Sequence, residues 1–283
     1  MLGAMERLIE VPGGRLFAVV DGKGPPVVLL HAAIVDLRAW DDMVPGLVRA
    51  GFRTVRYDRR GFGRSTTEDV SYSDHADLVS VLDALEIRQA ALVGNSMGGV
   101  VAIDAAIEFP DRVVAVVGVG AGLSGFVPRI KPEEMDAYQE EERLAEAAKA
   151  SGTTTEINAI AEFEVRLWVD GLGQPPDRVP SDVRDRVRSM CRAIYEPGRV
   201  RGRSVPMQPI ADSRLDELRC SVLAVVGGLD VSEVPSTAHR IVEGAPDASI
   251  VVLPNVAHMV GMEVPETLAE VIREFLAPLG TWA

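Results

Sequence analysis

The sequence predicts an α/β protein: a doubly wound, mostly parallel sheet with a helical lid inserted after the strand ending near Ala121. Three observations carry this. Short apolar runs at residues 26–30, 52–57, 90–93, 113–119, 221–226 and 249–253 have the length and composition of strands buried on both faces, and most are separated by helical patterns. The stretch Gly94-Asn95-Ser96-Met97-Gly98-Gly99 sits where the third run gives way to the small and apolar segment 100–107, the setting of a sharp strand-to-helix turn. From Leu123 to about Leu218 no β-branched run occurs, and helical patterns take its place.

Taken in order, residues 15–20 alternate loosely and end at Asp21-Gly22, which predicts an early edge hairpin. Strand 26–30 stops at His31-Ala32-Ala33-Ile34, a helix is expected to cross back over 40–50, and strand 52–57 ends in Asp58-Arg59-Arg60-Gly61-Phe62-Gly63-Arg64-Ser65. Leu78, Val81, Leu82 and Leu85 form a helical stripe within 71–85, with Ser71 and Asp74 spaced as a capping box. The strand into Ser96, helix 97–108 and strand 113–119 follow. Right-handed crossovers bring all of these loops to one edge of the sheet, where such folds bind ligands.

Helical patterns at 132–150, 156–169 and 181–195 build the insertion, and both of its ends emerge at that same edge. This favours a lid over a separate domain or a peripheral decoration, and divides the chain into a core of residues 1–122 and 219–283 and a lid of residues 123–218. The sheet resumes at 221–226 with Gly227-Gly228-Leu229-Asp230 at its end; a helix over 236–243 leads to strand 249–253 and then Pro254-Asn255-Val256-Ala257-His258. Pro265 opens a final helix with the apolar stripe Leu268, Val271, Ile272, Phe275 and Leu276.

Composition narrows the function. With 283 residues and 47% hydrophobic content the chain can bury a large core, while a formal charge of -13 argues against nucleic-acid or anionic-membrane partners. The basic cluster Arg199, Arg201 and Arg203 reads as a solvated loop. Cys191 and Cys220 carry no metal spacing and read as free thiols in a reducing compartment. Residues 1–12 hold Glu6, Arg7 and Glu10 and no apolar core of a signal peptide, and no run approaches the roughly 20 apolar residues of a membrane span. The expectation is a cytoplasmic protein.

The chemistry starts from Ser96. A serine hydroxyl is a weak nucleophile at neutral pH and needs a base within hydrogen-bond reach, itself oriented by a third group. Of the four histidines, His75 and His239 fall in helical patterns and read as surface residues, and His31 ends a strand, where it braces a loop. His258, on a loop at the ligand edge, is the expected base. Asp230, directly after a strand, is the expected acid, with Glu233 as competitor. Met97 N–H at the start of the elbow helix would give one oxyanion donor and Ala33 N–H the other. Trp168 lies in a helical stretch with one apolar face, so it is expected either to line the substrate pocket or to pack within the lid.

Over nearly its whole length the chain resembles the α/β-hydrolase superfamily, through the His31 loop, Asp58 to Ser65, the Ser96 elbow, Asp230 and His258. Residues Asp36-Leu37-Arg38-Ala39-Trp40-Asp41 and the elbow resemble the 3-oxoadipate enol-lactonase-like esterases and lactonases. The oxyanion loop reads His31-Ala32 where many relatives have His-Gly. The resemblance implies no cofactor and no metal; relatives that open epoxides or haloalkanes carry aspartate at the elbow, where this chain has Ser96. The implied partner is a small-molecule ester or lactone, cleaved through an acyl-enzyme. Carbon-carbon bond hydrolysis or perhydrolysis on the same triad, a triad-bearing ligand sensor and a vestigial site are the alternatives.

Overall fold

Strand alternation sorts the apolar residues of a nine-stranded sheet onto two faces. The computed structural model describes residues 4–282; Met1–Gly3, the first residues of the segment read as lacking a signal peptide, and Ala283 lie outside them. The strands are β1 (Met5–Val11), β2 (Gly14–Gly22), β3 (Pro26–Leu30), β4 (Arg53–Tyr57), β5 (Thr66–Thr67), β6 (Ser71–Tyr72), β7 (Ala90–Asn95), β8 (Val113–Val119), β9 (Arg203–Ser204), β10 (Ser221–Gly227) and β11 (Ala248–Leu253). The main sheet runs β1-β2-β4-β3-β7-β8-β10-β11 with β5 on β2, antiparallel at β1, β2 and β5 and parallel from β4 to β11.

Because successive strand residues point to opposite faces, Val28, Leu30, Leu92 and Val116 pack under helices α2 (Asp74–Ala84) and α3 (Met97–Glu108). Val27, Leu29, Val93 and Val117 meet α1 (Val44–Arg49) and α9 (Pro265–Leu276), which follows the short α8 (Val260–Glu263), on the other side. The stripe expected on α9 is the one used: Leu268, Ile272 and Leu276 are buried, with Val271 and Phe275 packed partly against them. Two layers of helices on a parallel sheet are the predicted architecture.

Several local expectations are corrected. The early hairpin turns at Pro12-Gly13 between β1 and β2, where Gly13 has φ +71°, and not at Asp21-Gly22. The helix expected over 40–50 is a 3-10 turn, Leu37–Trp40, followed by α1, whose start is set by Pro45 in its first turn. Ser71 caps nothing: it pairs with Arg203 in a two-stranded ladder, and Ser73 caps α2 by accepting from Ala76 N. The helix after Asp230, α7 (Glu233–Gly244), begins three residues earlier than expected.

Between β8 and β10 lie α4 (Met135–Ser151), α5 (Thr154–Glu164) and α6 (Ser181–Ile194). Past Glu164, α5 widens into a π-helical turn, Val165–Gly171, a deviation that recurs at functional sites. Val165 and Val169 from this turn and Val183, Val187 and Met190 from α6 bury against Ala32, Val35 and Met259, which belong to loops at the ends of β3 and β11. Arg178 ties the same region down. It donates to the carbonyls of Val169 and Asp170 at 2.7 Å and of Asn255 at 3.0 Å, and pairs with Glu263. Among the described residues no helix is long and apolar enough to cross a membrane.

Candidate active site

Ser96 stands between β7 and α3 with φ +54° and ψ -115°, a strained conformation for a residue with a Cβ. Close packing enforces the turn. A Cβ on Gly94 would lie 2.2 Å from Gly98 O, and one on Gly98 would lie 2.1 Å from Leu30 O, so neither position admits a side chain. Backbone bonds fix the serine in place: Ser96 N donates to Val119 O at 2.9 Å, and Ser96 O accepts from Gly99 N at 2.9 Å and Gly122 N at 3.2 Å. Met97, the first residue of α3, belongs to the turn whose N–H groups have no helical acceptor.

His258 and Asp230 meet beside the elbow. His258 Nδ1 donates to Asp230 Oδ2 at 2.8 Å, and Asp230 Oδ1 accepts from Val231 N at 3.0 Å. The pair packs so closely on Gly120 that a Cβ there would be 2.9 Å from the imidazole, and Gly120 itself needs φ +51°. Asn95 Nδ2 bridges β7 to this loop by donating to Val119 O at 2.9 Å and His258 O at 3.4 Å. Burial pulls the His258 pKa down, but the charge and hydrogen bond of Asp230, helped by Glu233 and Glu141, outweigh it and leave it raised. With Nδ1 donating to Asp230, Nε2 is the ring nitrogen left without a proton in the neutral imidazole. Ser96 Oγ has no hydrogen bond to another described residue.

The other predicted positions separate clearly. Glu233 opens α7 and makes no hydrogen bond to His258, unlike Asp230. His31 is fully buried and braces two loops: Nδ1 donates to Ala32 O at 2.8 Å and Nε2 accepts from Arg59 N at 3.0 Å, and burial, with Arg59 next, pushes its pKa down to about 3. His239 is exposed as expected, whereas His75 is half-buried on a cavity wall. Asp58 anchors the loop after β4 by accepting from Leu37 N at 2.9 Å and Arg64 N at 2.7 Å.

A cavity of about 680 Å³ opens at the elbow, with Ala33 and Met97 on its wall together with Val100, Leu123 and Phe126. Trp168, expected either to line the pocket or to pack within the lid, is not on that wall, and neither are Ser96 and His258. Its indole lies against the His258 ring, centroids 4.6 Å apart, and Nε1 donates to Glu141 Oε1 at 2.9 Å. Sequence reasoning also missed the cavity's charged wall. Arg201, read as part of a solvated loop, crosses over Gly61, where a Cβ would lie 2.9 Å from Arg201 Cα, and reaches the cavity.

Behind Trp168, the buried Glu164 lies beside Glu141, and burial first, then the Glu141 carboxylate, push its pKa up to about 9. Folded Glu164 therefore keeps a proton that the unfolded chain sheds near 4.5, so this residue makes stability fall as pH rises between those values. Glu164→Gln should raise stability by on the order of 1–3 kcal/mol at about pH 8 and do little at about pH 4. Urea unfolding at the two pH values checks it; an equal effect at both would remove the proton from Glu164.

The chain belongs to the alpha/beta hydrolase family, whose model matches residues 27–271. It is 27% identical over 296 residues to the putative 2-succinyl-6-hydroxy-2,4-cyclohexadiene-1-carboxylate synthase of Bacillus subtilis (strain 168), covering 96% of this chain and 98% of that protein. It is 35% identical over 133 residues to epoxide hydrolase B of Mycobacterium tuberculosis, a match over 44% of this chain that spans 37% of that relative's length. The enol-lactonase from Burkholderia xenovorans LB400 superposes with a TM-score of 0.72 at 20% identity, over 96% of this chain and 100% of that one, a likeness of fold.

Proposed function

We propose that the protein is a serine hydrolase acting on a carboxylic ester or lactone, with Ser96 as nucleophile, His258 as base and Asp230 as orienting acid. The observation that carries this reading is the 2.8 Å bond from His258 Nδ1 to Asp230 Oδ2, which fixes the tautomer that leaves Nε2 basic beside an elbow serine. Ser96 Oγ attacks the carbonyl carbon and its proton passes to Nε2. The tetrahedral oxyanion is held by Met97 and Ala33 N–H, an interaction worth about 2.7–4 kcal/mol per donor. The C–O bond breaks, Nε2 returns the proton to the leaving alkoxide, and a water activated by Nε2 releases the acid from Ser96.

The elbow residue separates this from epoxide opening. Attack on an epoxide by an aspartate gives an ester that water can cleave, whereas attack by Ser96 would give an ether with no carbonyl for water to attack. Residues 123–218 act in this reading as the lid, because their apolar side chains cover the loops that hold Ala32 and Met259. Trp168 takes the role of positioning residue, its ring fixing the His258 imidazole from the lid side.

Rapid mixing with p-nitrophenyl acetate tests the reading: a burst of p-nitrophenol should precede steady turnover, and mass spectrometry of the quenched protein should place the acetyl group on Ser96. An acetyl group on another residue, with Ser96 unmodified, would overturn it.

A further inference from the structure

The cavity that begins at Ala33 and Met97 carries two arginines with unused donors. Arg59 is 5% exposed, yet its Nε and Nη2 have no hydrogen-bond partner among the described residues. Arg201 Nε is likewise buried without a partner. The two guanidinium groups flank one ring, with Arg59 Cζ 4.8 Å and Arg201 Cζ 5.0 Å from the Phe62 centroid. Aromatic contact offsets part of their desolvation, about 0.5–2 kcal/mol each. It leaves the in-plane N–H donors unanswered.

Three of the carboxylates nearby have partners of their own, and Glu233 also lines the cavity. Asp77 takes both forks of Arg60, at 2.6 and 2.8 Å. Asp104 accepts from Ser124 at 3.0 Å, and burial holds its pKa up at about 6. Asp74 accepts from Ser204 Oγ at 2.6 Å and approaches Arg59 Nη1 only to 3.7 Å. His75 is turned toward its neutral form by burial. Arg201 feels the same deficit, since burial and the nearby Arg59 and Arg199 weaken its hold on the proton. Asp74, Asp104 and Glu233 stand on the same wall as the two cations, so it carries no net positive charge, and a protein of formal charge -13 does not gather anions by its overall field. The selectivity has to be local.

We propose that Arg59 and Arg201 form a carboxylate-binding subsite in this cavity, so that the substrate is an ester or lactone bearing a free carboxylate. The unpartnered donors carry the selectivity, and planar guanidinium forks suit a planar carboxylate. The apolar wall at Val100, Leu123 and Phe126 would run beside the carbon chain between that carboxylate and the carbonyl at Ser96. The substrate assignment rests on the serine-hydrolase reading of the same site; the anion subsite does not.

The test compares the p-nitrophenyl hemiesters of glutaric and adipic acid with the neutral p-nitrophenyl valerate and hexanoate. The wild type should favour at least one hemiester over its neutral partner by about tenfold or more in kcat/KM, carried by KM, as expected for charged hydrogen bonds. In Arg201→Gln and Arg59→Gln that ratio should fall toward one, and Arg201→Lys should recover part of it. Should Arg59→Gln fail to fold, Arg201→Gln decides. A wild type that prefers the neutral esters, or a preference that survives loss of either arginine, overturns the proposal. If no ester is turned over and a fluorophosphonate leaves Ser96 unlabelled, the serine reading has failed on its own. Calorimetric titration with glutarate and adipate then decides: saturable binding lost in Arg201→Gln upholds the anion subsite, and no binding by the wild type overturns it.

Discussion

Ser96→Ala should abolish ester turnover, by about 10⁵–10⁶-fold in kcat, while the protein stays folded. The loss is large because among the described residues no other hydroxyl has the same combination of surroundings: a strained elbow, a helix N-terminus above it and a histidine oriented by an aspartate from the end of β10. What remains is the contribution of binding and the oxyanion donors. Alanine keeps the Cβ at φ +54°, so the backbone strain is retained and the melting temperature should move little. Fluorophosphonate labelling read by mass spectrometry, alongside steady-state rates, checks both halves. Labelling of Ser96→Ala equal to the wild type would end the assignment.

Asp230→Asn should reduce kcat by about 10³–10⁴-fold with little change in KM. The carboxylate accepts the Nδ1 proton at 2.8 Å; an amide offering its own N–H there would favour the other tautomer and put the proton on Nε2, which then cannot accept one from Ser96. The same substitution removes the charge that raises the His258 pKa, so any residual activity should gain its basic form at lower pH. Glu233→Gln removes a weaker influence and should act mildly. A kcat-pH profile of both variants decides between the two acids, and a reversal of their sizes would move the acid to Glu233.

The sequence made the sheet edge legible because its signals are local. A strand that must be buried on both faces has to be continuously apolar, as residues 90–93 are, and an elbow without room for a Cβ has to place glycines where Gly94 and Gly98 stand. The pairing of Asp230 with His258 was readable from the strand ends they follow. What escaped was set by distant contacts. Ser71 lost its capping role to a ladder with Arg203, far along the chain. Arg201 looked like solvated charge because nothing adjacent to it in sequence reveals that its backbone passes over Gly61. Trp168 showed an apolar helical face, but the π-helical turn that aims it at His258 has no periodicity that residues 156–169 alone disclose.

The contact between Trp168 and His258 also makes the protein its own optical instrument. A protonated imidazole withdraws an electron from an excited indole more readily than a neutral one, so emission from Trp168 should dim when His258 takes up a proton. The remaining tryptophans are badly placed to obscure this: Trp40 lies near His31, which stays neutral until about pH 3, and Trp282 stacks near Phe52 and donates to Pro26 O. Emission should thus report the charge on His258 with the site empty, before any substrate is known.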